Sequence, residues 1–472
     1  MSGIVSFARR LVWVLPLVLG LAWAQRNGYE GLNGADSHDY FRVARAWAAW
    51  LLGGERPPSA EHPPAFPLAG AVLGQLTGDI LIALRCIPFV SFLLIGAIMA
   101  RVVQGQGLSV PLVPPFVLLS IGASPFLLRH ALVVMSDVPA AALVFLGYAC
   151  LITWLERSSR MWMIWAALAG AAAVAMRFAA VPMVGGALAF FVWERFNGSK
   201  GRMLRAGLVL TVLAVLLLCT FRPVWLADHC AGTPIEHWSG LNIFRRELHS
   251  DDGVLRYRVP NLIYVISIAV HPGFMPIGLL LLPFVRKADL LPFAARLALF
   301  MLAGYLLFTA GLPFQNDRVM LMAQPFIAFL FAPAFGRAWE WIRAKSLRPG
   351  LITALIALVQ IGLFARAIQP FIRNARTERE LASIVRAKVA TRVYTHGMGP
   401  ALSNYCPGVE VTELWYSSIG HFEPGALVLV QPLNLEGQWQ GLHPWENWLR
   451  VQEQGVEPVE KGPDGWVFAR VR

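Results

Sequence analysis

The chain has 472 residues, of which 57% are hydrophobic and 14% charged, whereas ordinary soluble domains carry about 25% charged residues. That balance excludes a soluble globular enzyme as the main body and points to an α-helical polytopic membrane protein. The net charge of +12 is assigned to cytoplasmic loops and contact with anionic lipid, not to nucleic acid, because lysine and arginine collect on the inner side of membrane spans.

In chain order, Arg9 and Arg10 precede an apolar segment at 11–24. Ala22-Trp23-Ala24 also fits a signal-peptidase site, so a first span and a cleaved signal peptide both stand. Either reading leaves Arg9 and Arg10 cytoplasmic and starts an outer loop at Gln25. Further apolar segments cover 80–102, 110–128, 138–155, 161–176, 179–194, 206–221, 259–285, 297–313, 319–335 and 350–370. With the first, that makes about eleven transmembrane helices, each measured against the ~20 residues a span requires. The run Pro67–Leu76 is too short to cross and reads as a juxtamembrane or re-entrant helix.

Counted from a cytoplasmic N-terminus, the inner loops hold Arg157, Arg160, Arg195, Lys200, Arg286, Lys287, Arg337 and Lys345, while the short outer connections hold Arg129, Arg177 and Arg318. After Pro370 the composition turns polar. Residues 371–472 are expected to form a small soluble extracytoplasmic α/β domain, with helices at 373–390 and 447–453 and strands at 393–395, 409–411, 427–430 and 466–468. Residues 1–370 form the expected transmembrane domain, whose outer loop 25–79 carries the site. Gly397-Met398-Gly399 lacks a full nucleotide-binding fingerprint. The five cysteines show no metal or redox spacing, and a disulfide between Cys230 and Cys406 is left open.

The outer loop holds the densest chemistry. It reads Asp36-Ser37-His38-Asp39-Tyr40-Phe41, then an amphipathic run to Leu52, then His62-Pro63-Pro64-Ala65-Phe66-Pro67. Tyr40, Val43, Ala44, Trp47, Trp50 and Leu51 share one helical face and Arg42 and Arg45 the other, the pattern of a helix lying in the membrane interface. Asp36 and Ser37 are placed to cap it. Charges near a membrane are costly and therefore functional candidates. Asp137, Arg177 and Arg318 lie at span ends on the same expected side as Asp36 and His62. Taken singly, Asp137 is a helix cap and the arginines are interface anchors; their gathering on one side supports a shared site. A forked guanidinium suits phosphate, and His62 is a rigidly presented donor. A carboxylate can take a hydroxyl proton as that oxygen attacks a sugar carbon, and the departing phosphate needs positive charge. One base suffices for a single inverting displacement. Asp36 is the preferred base and Asp39 the reserve, with Tyr40, His62, Asp137, Arg177 and Arg318 as substrate contacts.

Asp36-Ser37-x-x-Tyr40, followed by Pro63-Pro64-Ala65-Phe66-Pro67, resembles the GT-C superfamily of membrane glycosyltransferases, and within it the bacterial protein-mannosyltransferase and aminoarabinose-transferase type. Ser136-Asp137-Val138-Pro139, the stretch from Asn316-Asp317-Arg318 to Pro325, and the C-terminal domain resemble further parts of that pattern. His62 departs from it, standing where the family often has Lys or Arg. The resemblance implies a multi-pass protein of the cytoplasmic membrane that transfers a hexose or pentose from a polyprenyl-phosphate-linked donor to a glycan, lipid or protein acceptor on the outer face. Asp36 matches the family's acidic loop residue, which serves as catalytic base or acceptor orienter. Some members use a divalent metal, which Asp36 and Asp39 could help ligate. Two other classes stand beside this one: a transporter or flippase of lipid-linked saccharides, and a non-catalytic membrane scaffold presenting the C-terminal domain.

Overall fold

The computed structural model describes residues 12–57, 63–195, 237–250 and 252–472. The chain divides into two compact units. The first comprises Met1–Trp23, Ser59–Arg246 and Tyr257–Ile368; the second comprises Ala24–Pro58, Glu247–Arg256 and Gln369–Arg472.

The first unit is helical and apolar. Among the described residues, Ile80–Gly105, Asp137–Arg157, Phe293–Ala310 and Pro349–Ala387 are long and apolar enough to cross a membrane. At 1.5 Å per residue, the 26 residues of Ile80–Gly105 reach roughly 39 Å, beyond the ~30 Å of a hydrocarbon core. Shorter apolar helices include Ala65–Thr77, Arg160–Met176 and the segment ending at Glu194, and together they make a multi-pass membrane protein. Helix Ile80–Gly105 begins where the Asp79 carboxylate accepts from Ile82 N at 3.0 Å, an N-cap that satisfies a donor lacking an intrahelical partner. Helices Val181–Arg195 and Phe293–Ala310 pack through glycine: a Cβ on Gly186 would stand 2.6 Å from Phe300 O, and one on Gly304 2.7 Å from Pro182 O. Small residues at such contacts are how helices approach closely in lipid.

Two expected spans are interrupted. The segment 110–128 divides into Val113–Val117, a π-helical turn Leu118–Gly122 and Pro125–His130. The segment 259–285 is helical only at Asn261–Ser267 and Gly278–Leu281, with tight turns between. Proline explains both, since Pro125, Pro272 and Pro276 each remove a backbone donor and disfavour helix at the preceding residue. The exposed backbone groups are satisfied inside the protein. Ser124 Oγ donates to Phe274 O at 2.9 Å, Phe126 N donates to Gly273 O at 2.8 Å, and the buried Gln324 Nε2 donates to Phe274 O at 2.8 Å. Broken helices survive at membrane depth only under such internal satisfaction. The expected span 206–221 lies outside the described residues. Pro349–Ala387 is one continuous helix with Pro370 inside it, where a break had been expected.

The second unit is an α/β sheet domain joined by the early loop. A hairpin pairs β1 (Glu247–Ser250) with β2 (Gly253–Arg256). Five further strands follow: β3 (Arg392–Thr395), β4 (Glu410–Glu413), β5 (Leu427–Val430), β6 (Val456–Lys461) and β7 (Val467–Val471), in spatial order β4-β3-β5-β7-β6. β3 runs parallel to β4 and β5, and β7 runs antiparallel to β5 and β6. All four residues of β5 are buried, as expected of a strand covered on both faces. Leu381, Val385, Leu402 and Phe468 cover one face, and Leu414, Phe422, Trp439 and Trp448 the other. The sequence pattern missed β6, an edge strand in which Pro458 is tolerated because an edge leaves donors unpaired.

The loop helix runs Gly34–Leu51. Its N-cap is Asn33, so Asp36 lies inside the first turn and is not the cap expected of it. Ser37 Oγ donates to Asn33 O at 2.8 Å and accepts from Asn33 N at 2.6 Å. The apolar stripe expected to face lipid is divided. Tyr40, Val43 and Ala44 are buried within the protein, Trp47 is half-buried, and Trp50 and Leu51 remain exposed.

Candidate functional site

Each unit holds ionisable side chains that were expected in the site. In the first unit, Asp137 opens the helix Asp137–Arg157, where the helix dipole favours an anion. The residue is 1% exposed. Oδ1 lies 3.0 Å from Nη1 of Arg177, and neither oxygen takes a well-aligned hydrogen bond among the described residues. Arg177 occupies the extended residue that ends helix Arg160–Met176. The contact is therefore Coulombic and almost fully desolvated.

A second ion pair stands in the same unit. Arg129, 6% exposed, donates from Nη2 to Asp317 Oδ2 and from Nη1 to Ala367 O at 3.3 Å. Its guanidinium lies over the Phe126 ring, 4.6 Å from the centroid. The His130 ring lies beside the same carboxylate, with Nε2 3.8 Å from Asp317 Oδ1. Arg318 follows Asp317 in a short helical turn capped by Asn316, whose Oδ1 accepts from Arg318 N at 3.1 Å. Arg318 Nη1 reaches Met135 Sδ at 3.6 Å, two residues before Asp137. Arg129, Arg177 and Arg318 thus stand with Asp137 and Asp317 in this unit.

Of the residues expected in the site, Asp137 and Arg177 are brought into direct contact, and Arg318 is tied to the segment that leads into Asp137. His62 lies outside the described residues, and so does Cys230 of the disulfide left open above. Cys406 is a buried free thiol whose Sγ lies 3.4 Å from Ala382 O. Sequence reasoning left Arg129 and His130 out of the site because they end an apolar run. An adjacent arginine and histidine inside Phe-Leu-Leu-Arg-His-Ala-Leu was the available signal, since neither enters an apolar core without a partner.

In the second unit, Asp36 and Asp39 are both partly exposed on the loop helix. Arg42 donates to Asp39 Oδ1 from Nε at 3.2 Å and from Nη2 at 3.0 Å. Tyr40, one turn beyond Asp36, is buried. Between the two acids, His38 is wholly buried. Its Nε2–H donates to Glu378 Oε2 at 3.0 Å, and its Nδ1 accepts from Asn404 Nδ2 at 3.1 Å. These partners assign the tautomer, because the Asn404 amide nitrogen can only donate and a carboxylate can only accept. None of His38, Glu378 and Asn404 was singled out as a site residue in the sequence; Glu378 and Asn404 are more than 300 residues away from His38.

Glu413, at the end of β4, accepts from Gly397 N at 2.9 Å and from Gly399 N at 2.5 Å. Burial pushes its carboxyl up to about 7; the two backbone donors oppose that shift, and the negative charge of Asp39 adds to it. His396 is lowered to about 4 by burial, stacked on Trp415. Among the described residues, no group of three His, Cys, Asp or Glu side chains is placed to hold a metal ion.

No protein-family profile matches the sequence, and no curated protein matches it. Solved structures do. The chain superposes on ArnT from Cupriavidus metallidurans in the apo state with a TM-score of 0.55 at 14% identity, covering 96% of this chain and 97% of that one. The same protein bound to undecaprenyl phosphate gives a TM-score of 0.56 at 14% identity, covering 100% of this chain and 98% of the other. At this identity the likeness shows the fold. The chain has the overall fold of ArnT.

Proposed function

We propose that the protein is an inverting glycosyltransferase that moves a sugar from a polyprenyl-phosphate carrier to an acceptor at the outer face of the cytoplasmic membrane. The observation that carries this reading is the arginine–carboxylate cluster at Asp137, Arg177, Arg129 and Asp317, in a fold shared along the whole chain with a protein that was solved bound to undecaprenyl phosphate. Arg129, Arg177 and Arg318 are the proposed phosphate partners. A guanidinium stacked on Phe126 and bonded to Asp317 is held in place before the ligand arrives, which lowers the reorganisation needed to meet developing charge.

Asp36 is the proposed base, with Asp39 in reserve. It takes the proton of an acceptor hydroxyl as that oxygen bonds to the sugar's anomeric carbon and the bond to the carrier phosphate breaks. The polyprenyl phosphate leaves as the anion, and one displacement inverts the centre. Asp36 is preferred because it is the acid that matches the family's loop residue, and Asp39 is bonded to Arg42. In this reading the 371–472 segment lies outside the membrane, and Trp50, Leu51 and Leu52 rest in its interface.

Reconstitution of the purified protein in vesicles with radiolabelled polyprenyl-phosphate sugar tests the proposal. Acceptor-dependent formation of a new glycosidic bond and release of polyprenyl phosphate is the expected result. Movement of the intact lipid-linked sugar between leaflets without a new bond would establish a flippase instead.

A further inference from the structure

The first turn of the loop helix is gripped by residues distant in sequence. Its own N-cap, Asn33, makes no side-chain capping bond. The acceptor comes from Glu378, which receives Gly34 N on Oε1 at 2.9 Å and His38 Nε2–H on Oε2 at 3.0 Å. One carboxylate therefore bridges two residues one helical turn apart. Asn404 adds two further bonds, from Nδ2 to His38 Nδ1 and to His38 O, each at 3.1 Å. The Tyr405 ring meets the imidazole edge-on, with centroids 5.3 Å apart. Glu378 is 6% exposed and His38 is fully buried. Gly34 has φ +69, so the N–H that reaches Glu378 depends on a left-handed residue that glycine adopts without strain.

The grip falls on one helical face. Gly34 and His38 are four residues apart and share it, whereas Asp36, midway between them, is turned about 200° from Gly34 at 100° per residue. A buried carboxylate, an amide and an imidazole in a fixed tautomer are more than a helix end needs; one capping acceptor would satisfy it. What the arrangement adds is a fixed rotation and height for the turn that carries Asp36.

We infer that Glu378 and Asn404, acting through His38 and the Gly34 amide, are positioning residues that orient Asp36 for proton abstraction. The sheet domain of residues 392–471 is thereby part of the catalytic apparatus. This rests on the glycosyltransferase reading given above. Misplacing a reacting group by about 1 Å lowers rates by about 100-fold.

The test uses the full-length protein and three variants: Glu378→Ala, Glu378→Gln and Asn404→Leu. The turnover rate is normalised to the fraction of molecules that bind polyprenyl phosphate, which removes any loss due to misfolded protein. For Glu378→Ala the normalised kcat is expected to fall about 100-fold, with the donor KM within about 3-fold of wild type. Asn404→Leu should fall less. Glu378→Gln keeps an acceptor for Gly34 N and is expected to recover about 10-fold of the loss. Hydrogen exchange at 33–40 should accelerate in Glu378→Ala, while 427–430 keeps its protection. A normalised kcat and an exchange pattern unchanged in Glu378→Ala overturn the inference. So does a loss confined to binding stoichiometry, which marks a structural role alone. A wild-type protein that forms no product, with 33–40 still loosened by Glu378→Ala, overturns the glycosyltransferase reading and supports the grip on the turn.

Discussion

Asp137 and Asp36 each stand in the first turn of a helix, and the two units bury them to different degrees. In the apolar unit, Asp137 is almost completely removed from solvent and is set against Arg177. In the sheet unit, Asp36 stays partly exposed, and other residues hold its helix in place. A carboxylate in apolar surroundings must have its charge balanced by a neighbour, or burial would neutralise it. In the proposed reaction the first unit supplies the electrostatics and the second the acid–base chemistry.

The largest expected effect bears on that division. Asp36→Asn should lower glycosyl transfer by about 10²–10⁴-fold, the usual contribution of a general base, with little change in thermal stability. Asp39→Asn should cost far less; equal losses in the two variants would remove the distinction between them. Next is the buried ion pair. Replacing Asp137 by Ala leaves Arg177 unpaired in an apolar site and should destabilise the protein by about 3–5 kcal/mol, measured by unfolding in detergent. The Asp137→Ala/Arg177→Ala double variant should be less destabilised than either single one. A double variant whose loss equals the sum of the two would show that the pair is not coupled.

A smaller effect comes from Glu413. Its carboxyl in the folded protein is raised to about 7 from an ordinary 4.5, so the folded state holds the proton more tightly than the unfolded chain does. The resulting stabilisation is complete below about pH 4.5 and is lost as pH rises through about 7. Tryptophan fluorescence during denaturation at pH 5 and pH 8 should show a less stable second unit at the higher pH, and Glu413→Gln should flatten the difference. The smallest effect belongs to the β1–β2 hairpin. Arg256 donates to Glu247 at 3.0 Å with both side chains largely exposed, and Arg256→Ala should change stability by less than about 1 kcal/mol. A larger loss there would mean that the hairpin contributes more to its unit than a surface pair can.

Legibility followed the range of the interactions involved. The apolar periods located Ile80–Gly105 and Asp137–Arg157 to within a few residues, because a helix in lipid satisfies its own backbone and needs only a long apolar run. The same rule failed at 259–285, where Ser124 and Gln324 take over backbone partners that Pro272 and Pro276 leave exposed. β5 was readable as Leu-Val-Leu-Val, whereas β6 was not, since Val-Glu-Pro-Val-Glu-Lys becomes a strand only beside β7. In the candidate site, Asp137, Arg177 and Arg318 stood out as isolated charges among apolar residues. Arg129 and His130 did not, because their roles depend on Asp317.

The sequence by itself determined that this is a multi-pass membrane protein with a polar α/β segment after Pro370, and it marked the acidic turn at Asp36. Those properties follow from local composition and periodicity, which act within a few turns of chain. Only the tertiary structure decided which charges are paired, where the apolar spans break, and that Glu378 and Asn404 reach back to grip the turn that carries Asp36. These are contacts between residues hundreds of positions apart. They exist because burial forces each polar group to find a partner, and folding alone determines which partner is near.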